Sequence, residues 1–267
     1  SSVFAYDKAI EQYKSINPLY AGIQLARAFY HEAAAKQNLA VQGIIGPAKK
    51  IRTREGKIKS KSMQATRMER TGGTLAEEAL KSYDEALKVC LEAMDANPNG
   101  PELYLSIFLD KMIMMQKLGR SDDCLIEYDK ALDFFDDSQS MKARLLIFKG
   151  LAEIYWADVI LNPVLYKDAI GCFNRSIDLL DKLKNSDKAW IAGARWGRGY
   201  ARSRLRYFEE ADQKCLEKAG NYDESILDDY NQSLLDLDAM GAAFIWCDLA
   251  DAYLDQVRYQ DALKAYN

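Results

Sequence analysis

"WCDLADAYLDQVRYQDALKAYN", residues 246–267, decides the fold. Trp246, Leu249, Ala250 and Tyr253 recur at spacings of three and four, a short polar turn follows, and Tyr259, Ala262 and Tyr266 resume the rhythm. Such spacing puts the apolar residues on one stripe of a helix, so the stretch predicts a helix, a turn and a second helix. The large residues act as knobs, and Ala250 and Ala262 leave room for a neighbouring helix to approach closely.

The pattern recurs upstream. Phe148, Leu151, Ala152 and Tyr155 repeat the first helix, and Ala169, Phe173 and Ser176 the second, with extra residues "DVILNP" in the turn. Trp196, Gly197 and Tyr200 form another first helix; Leu25, Ala26 and Phe29 form an earlier one. Second helices are marked by Tyr6, Ala9 and Tyr13, by Ala79, Tyr83 and Ala86, and by Cys124, Tyr128, Ala131 and Leu132 after a turn at Gly119. Asn17-Pro18, Pro98 and Pro101 punctuate the helix ends and starts.

This order of aromatic, leucine, small residue and tyrosine, followed by tyrosine, alanine and aromatic, resembles the tetratricopeptide repeat, whose unit is a pair of antiparallel helices, A and B. The resemblance covers most of the chain and implies an all-α fold, an α-solenoid of antiparallel helix pairs forming a TPR-like superhelix. It implies one helical-repeat domain over residues 1–267, read as a fragment of a longer array because neither end supplies a polar cap. Departures are also evident. The helix A anchors Leu151, Trp196 and Leu249 stand 45 and 53 residues apart, beyond the usual repeat of about 34, so helices are lengthened or loops inserted. The helix after Pro101 carries Lys111 and Met112 where a leucine and a small residue are expected. Two insertions are predicted. One is basic, at about 39–74; the other is a short extra helix at about 206–220, with Phe208, Ala211, Cys215 and Ala219 on one stripe ended by Gly220.

The composition, 49% hydrophobic and 28% charged, belongs to a folded soluble chain. The longest apolar run, "LYLSIFLDKMIMM", is broken by Asp110 and Lys111, short of the roughly 20 residues of a membrane span. The start, "SSVFAYDKAIEQYK", has no apolar signal core. Cys90, Cys124, Cys172, Cys215 and Cys247 are odd in number and dispersed among helical patterns, which reads as buried free thiols in a reducing, cytoplasmic setting. No metal or cofactor is expected. The chain has one histidine, His31, and no nucleophile or metalloprotease motif, so an enzyme is not expected. Adjacent carboxylates such as Asp122 and Asp123, or Asp228 and Asp229, diverge on a helix and read as solvated faces.

The resemblance also implies which residues line the concave groove. On successive A helices these are Gln24, Arg27 and His31; Lys149, Glu153 and Trp156; Arg195, Arg198 and Arg202; and Asp248, Asp251 and Asp255. The arginine trio reads in two ways: as a clamp for carboxylate or phosphate on a partner peptide, or as partners of the three aspartates across the neighbouring helix. The asparagines of chaperone-tail-binding members are absent. The leading functional expectation is a non-catalytic scaffold that binds a protein segment, with an acidic partner among the options.

The alternative is nucleic-acid binding through "AKKIRTREGKIKSKSMQATRMERTGG", residues 48–73. Lys49, Lys50, Arg52, Arg54, Lys57, Lys59, Lys61, Arg67 and Arg70 oppose Glu55 and Glu69, a local charge of +7 in a chain of net charge −4. Phosphate attraction follows from charge alone, but the stretch holds no aromatic residue to stack a base. A docked acidic protein surface and a solvated insertion stay open beside it.

Overall fold

The computed structural model describes residues 3, 7–11, 18–44, 58–94, 97, 99–183, 188–211, 216–236, 245, 246, 248, 249, 251–253, 261, 264 and 265, with side chains described for fewer in some helices. Among them the regular structure is entirely helical: α1 Pro18–Ile44, α2 Ile58–Glu92, α3 Gly100–Lys117, α4 Ser121–Phe134, α5 Gln139–Ile160, α6 Pro163–Lys182, α7 Lys188–Ala211 and α8 Leu216–Asp236. The described residues of 245–253 are helical as well. Within each of two compact units neighbouring helices pack in chain order, the packing of an α-solenoid. The expected single domain over 1–267 divides into two compact units, residues 1–120 and 121–267.

In the first unit α1 packs on α2, α2 on α3, and α1 also on α3. Ala26, Ala33, Ala79 and Ala86 are fully buried, and their small side chains let the two long helices approach closely. Tyr83, also fully buried, donates its hydroxyl to Gln37 Oε1 across α1 and α2 at 2.5 Å. Lys111, the irregularity in α3, is buried and neutralised by Asp84 at 2.8 Å, so the missing leucine is replaced by an ion pair to α2. Gly119, at φ 73, closes α3. Its N–H bonds Gln116 O and the Arg120 N–H bonds Met115 O, both at 2.9 Å, a paired cap that requires the left-handed conformation glycine tolerates.

In the second unit α4 packs on α5, α5 on α6, α6 on α7 and α7 on α8, with α5 also touching α7. Asn162 caps α6 by accepting the Val164 N–H at 3.0 Å, and Pro163 takes the first turn, where its missing N–H costs nothing. Asp158 to Ile160 of the expected turn instead extend α5, which ends on left-handed Leu161. The pairing is antiparallel: Ser176 Oγ donates to Ala143 O at 2.8 Å near one end, and Tyr166 bonds Asp158 near the other. At the centre the fully buried ring of Phe173 sits between Gly150 of α5 and Gly197 of α7. A Cβ on Gly150 would meet the ring at 2.8 Å and one on Gly197 at 2.5 Å.

The predicted short helix at about 206–220 is corrected. Residues 206–211 continue α7 and residues 216–220 open α8, so among the described residues no separate element stands there. Phe208 explains the extension, since it packs on Tyr166 with ring centroids 5.6 Å apart and carries the apolar stripe beyond Leu205. The basic insertion shrinks for a related reason. Residues 39–44 end α1 and residues 58–74 begin α2, while 45–57 lie outside the described residues. Tyr6, Tyr13, Ala250, Tyr259, Ala262 and Tyr266 of the repeat pattern also lie outside them.

Gly197→Ala is therefore expected to lower unfolding stability by about 1–3 kcal/mol, because the ring has no room to yield. Gly193→Ala, one turn away with nothing within 4 Å of its Cβ position, is expected to raise it by up to about 1 kcal/mol through helix propensity. Urea denaturation of the two variants measures both.

Candidate functional site

The arginine trio of α7 is occupied, although by different partners from those expected. Arg195 Nη1 donates to Asp236 Oδ2 at 2.9 Å. Arg198 grips Asp229 through Nε at 3.0 Å to both oxygens and through Nη2 at 2.5 Å, and its Nη1 donates to Asn174 Oδ1 at 2.8 Å. Arg202 Nη1 reaches Asp229 Oδ2 at 2.6 Å. The acids come from α8, the antiparallel partner, rather than from the Asp248, Asp251 and Asp255 series; Asp255 lies outside the described residues. Asp229 is also not the solvated carboxylate expected, since its side chain is 2% exposed. Antiparallel pairing explains both corrections: it brings the inner face of α8 against α7, and a carboxylate buried there requires charged donors on more than one side.

On α5, Lys149 is half-buried between Asp129 at 2.5 Å and Glu153 at 3.8 Å. Burial pushes the Glu153 carboxyl up to about 7; Lys149 and a hydrogen bond from Cys172 pull it down, and Asp168 and Asp129 push it further up. Trp156 donates its indole N–H to Asp122 Oδ1 at 2.9 Å. Arg27 and His31 are exposed on α1 in the first unit, with His31 against Tyr30 at 5.3 Å between ring centroids, and Tyr30 donating to Asp110 at 2.8 Å. Lys49, Lys50, Arg52, Arg54 and Lys57 lie outside the described residues; Lys59, Lys61, Arg67 and Arg70 fall on the backbone of α2, their side chains outside the description. Cys90, Cys124 and Cys172 are buried and free.

The open concavity of the second unit lies elsewhere. Leu151, Ile154, Tyr155 and Asp158 of α5, Trp196 and Tyr200 of α7, and Asp248 line a groove of about 530 Å³. Parallel offsets build it. Arg144 and Phe148 of α5 meet Trp190 of α7, Asp158 meets Arg204, and the Trp196 indole N–H donates to Asp248 Oδ2 at 2.7 Å. Tyr155 is 46% exposed, and the Trp196 and Tyr200 rings lie 6.0 Å apart at 31°. Burial raises the Asp248 carboxyl above its ordinary range; the Trp196 hydrogen bond opposes the rise and Asp251 adds to it. Asp158 is held by Tyr166 and by Arg204 at 2.7 Å.

The residues projected for the groove and those that line it scarcely overlap. The repeat pattern places Tyr155, Trp196 and Tyr200 among its packed residues, and they instead line the cleft. One signal was available: Tyr155 and Tyr200 share the 45-residue offset of Leu151 and Trp196, so equivalent rings stand side by side on parallel helices. Trp246, another expected knob, is 43% exposed.

The fold and this cleft define a helical-repeat protein of the α-solenoid class. Compared with family models and with curated proteins, the chain matches none. Among solved structures it is similar to the crystal structure of BtubC (BKLC) from P. vanneervenii, with a TM-score of 0.54 at 13% identity over 98% of this chain and 86% of that one. The likeness concerns the fold. No described helix is long and apolar enough to cross a membrane.

Two outcomes are expected. Arg198→Met strips the bidentate partner from buried Asp229 and lowers stability by about 3 kcal/mol, measured by denaturant titration. For Glu153, the folded chain binds the proton up to about pH 7, whereas the unfolded chain releases it near 4.5. This contribution to stability is full below about 4.5 and is lost as pH rises to 7, about 2–3 kcal/mol in all. Glu153→Gln removes that decline, so urea midpoints of the variant and the parent diverge in the variant's favour from pH 5 to pH 8.

Proposed function

We propose that this chain is a non-catalytic, tetratricopeptide-type interaction scaffold that holds an extended segment of a partner protein in the groove of its second unit. The observation that carries this reading is the open groove across α5, α7 and Asp248, with Leu151, Tyr155, Trp196 and Tyr200 presenting apolar and aromatic surface. Rings of this kind supply large contact area at little entropic cost, and their clustering in a concavity is the pattern of binding hot spots. Helices that pack in chain order hold the groove with little ordering left to be done on binding.

The arginines of α7 support folding in this reading, since Arg198 and Arg202 are spent on Asp229. Substituting them therefore reports stability rather than ligand contact. The buried free state of Cys90, Cys124 and Cys172 supports a reducing, cytoplasmic setting.

Peptides selected by phage display against the chain are expected to bind Tyr155→Ser at least tenfold more weakly than the parent, with an unchanged melting temperature because the ring is half exposed. Selected peptides that bind both forms equally overturn the groove assignment.

A further inference from the structure

The charge and the rings of the groove specify more than an apolar cleft. Its charged lining residues are both carboxylates, Asp158 and Asp248, and no lysine or arginine is among the described lining residues. They differ in how well they are satisfied. Asp158 is bonded by Tyr166 and by Arg204 through two nitrogens, so its charge is largely answered from within the fold. Asp248 accepts a neutral indole N–H at Oδ2, and Asp251 adds a second negative charge beside it. Partial burial with a like charge nearby leaves Asp248 in a field that a cation would relieve. The same groove holds three aromatic rings, Tyr155, Trp196 and Tyr200, with Leu151 and Ile154 also in its lining. Aromatic faces attract cations through their quadrupoles, and a carboxylate at the same site supplies the counter-charge.

We propose that the groove recognises a lysine side chain on an extended segment of a partner protein, its ammonium set among Tyr155, Trp196 and Tyr200 against Asp248 and its methylenes lying on Leu151 and Ile154. Lysine fits better than arginine. A guanidinium seeks both oxygens of a carboxylate in a planar fork, and Oδ2 of Asp248 already accepts the Trp196 N–H, whereas a compact ammonium needs one oxygen. A long aliphatic stem ending in a charge matches a lining that is aliphatic along one part and aromatic and acidic along another. The inference rests on the groove reading above and reverses the charge of the partner that the arginine trio had suggested.

The test uses five synthetic peptides, acetyl-Gly-Leu-X-Leu-Gly-amide, with X lysine, arginine, norleucine, acetyl-lysine or glutamate, titrated into the full chain by calorimetry at low and physiological salt. The lysine peptide is expected to bind at least tenfold tighter than the norleucine and acetyl-lysine peptides and tighter than the arginine peptide, with glutamate weakest. Asp248→Asn keeps an oxygen for the Trp196 N–H and removes the charge. It is expected to erase the lysine advantage, the lysine and norleucine peptides then binding the variant equally, with a melting temperature no lower than the parent's. Equal binding of lysine and norleucine overturns the lysine assignment and leaves the apolar groove standing, whereas binding of none of the five overturns both. A preference for glutamate, or a dimer seen by sedimentation that Asp248→Asn dissolves, overturns it in favour of an acidic partner or a second copy of the chain.

Discussion

The second unit depends on one steric fit: the ring of Phe173 between Gly150 and Gly197. A helix pair joined by a short turn fixes only its own two members, and a solenoid needs each B helix to grip the A helices on both sides of it. Phe173 does this with a single side chain from α6 pressed into notches on α5 and α7. A buried ring contributes about 1.5–3 kcal/mol through removal from water, which offsets the roughly 2 kcal/mol by which the two mid-helix glycines together weaken their helices. The same fit sets how close α5 and α7 come, and so positions Tyr155 beside Trp196 and Tyr200 to form the walls of the groove.

Charge is distributed according to the same geometry. Between the antiparallel partners α7 and α8, where water is excluded, buried Asp229 is matched by Arg198 and Arg202; buried Lys111 of α3 meets the exposed Asp84 of α2, and Glu32 pairs with Lys36 one turn along α1. Asp229 or Lys111 left alone would be a buried charge, which costs several kcal/mol. On the open side of α5 and α7, by contrast, aromatic and acidic residues face the groove, and Asp248 accepts the indole N–H of Trp196. On the proposed scaffold reading, folding and binding draw on different faces of the same helix. Arg198 and Trp196, two residues apart on α7, belong one to each.

Most of the repeat was legible in the sequence. Alanine, cysteine and aromatic spacing marked the buried faces of α1, α2, α4, α5 and α6, and Ala79, Tyr83, Ala86, Cys124, Tyr128, Ala169 and Phe173 are all buried as that spacing implied. Element lengths were less legible. The extra residues between anchors read as lengthened helices or inserted loops, and among the described residues they lengthen α1, α2, α5, α7 and α8; the two readings stay open in sequence because charged residues interspersed with an apolar stripe look alike in a helix end and in a loop. The lining of the cleft was less legible for a related reason: signature aromatics read as core, and the arginines read either as a clamp or as partners of nearby aspartates, a choice that only the pairing with α8 decides.

By itself the sequence determined what local periodicity determines: that the chain is helical, that its helices pair, and which stripe of each turns inward. It could also exclude a membrane-length apolar run. Tertiary structure alone decided which aspartate meets which arginine and which aromatic stays open to solvent. The first depends on the register of antiparallel α7 and α8, the second on the offset of parallel α5 and α7; both join residues dozens of positions apart, which no one-helix pattern carries. Asp228 and Asp229 show the limit. They are adjacent and chemically identical, but one is exposed and the other is held by two arginines, because successive residues on a helix face about 100° apart and α7 covers only one of those directions.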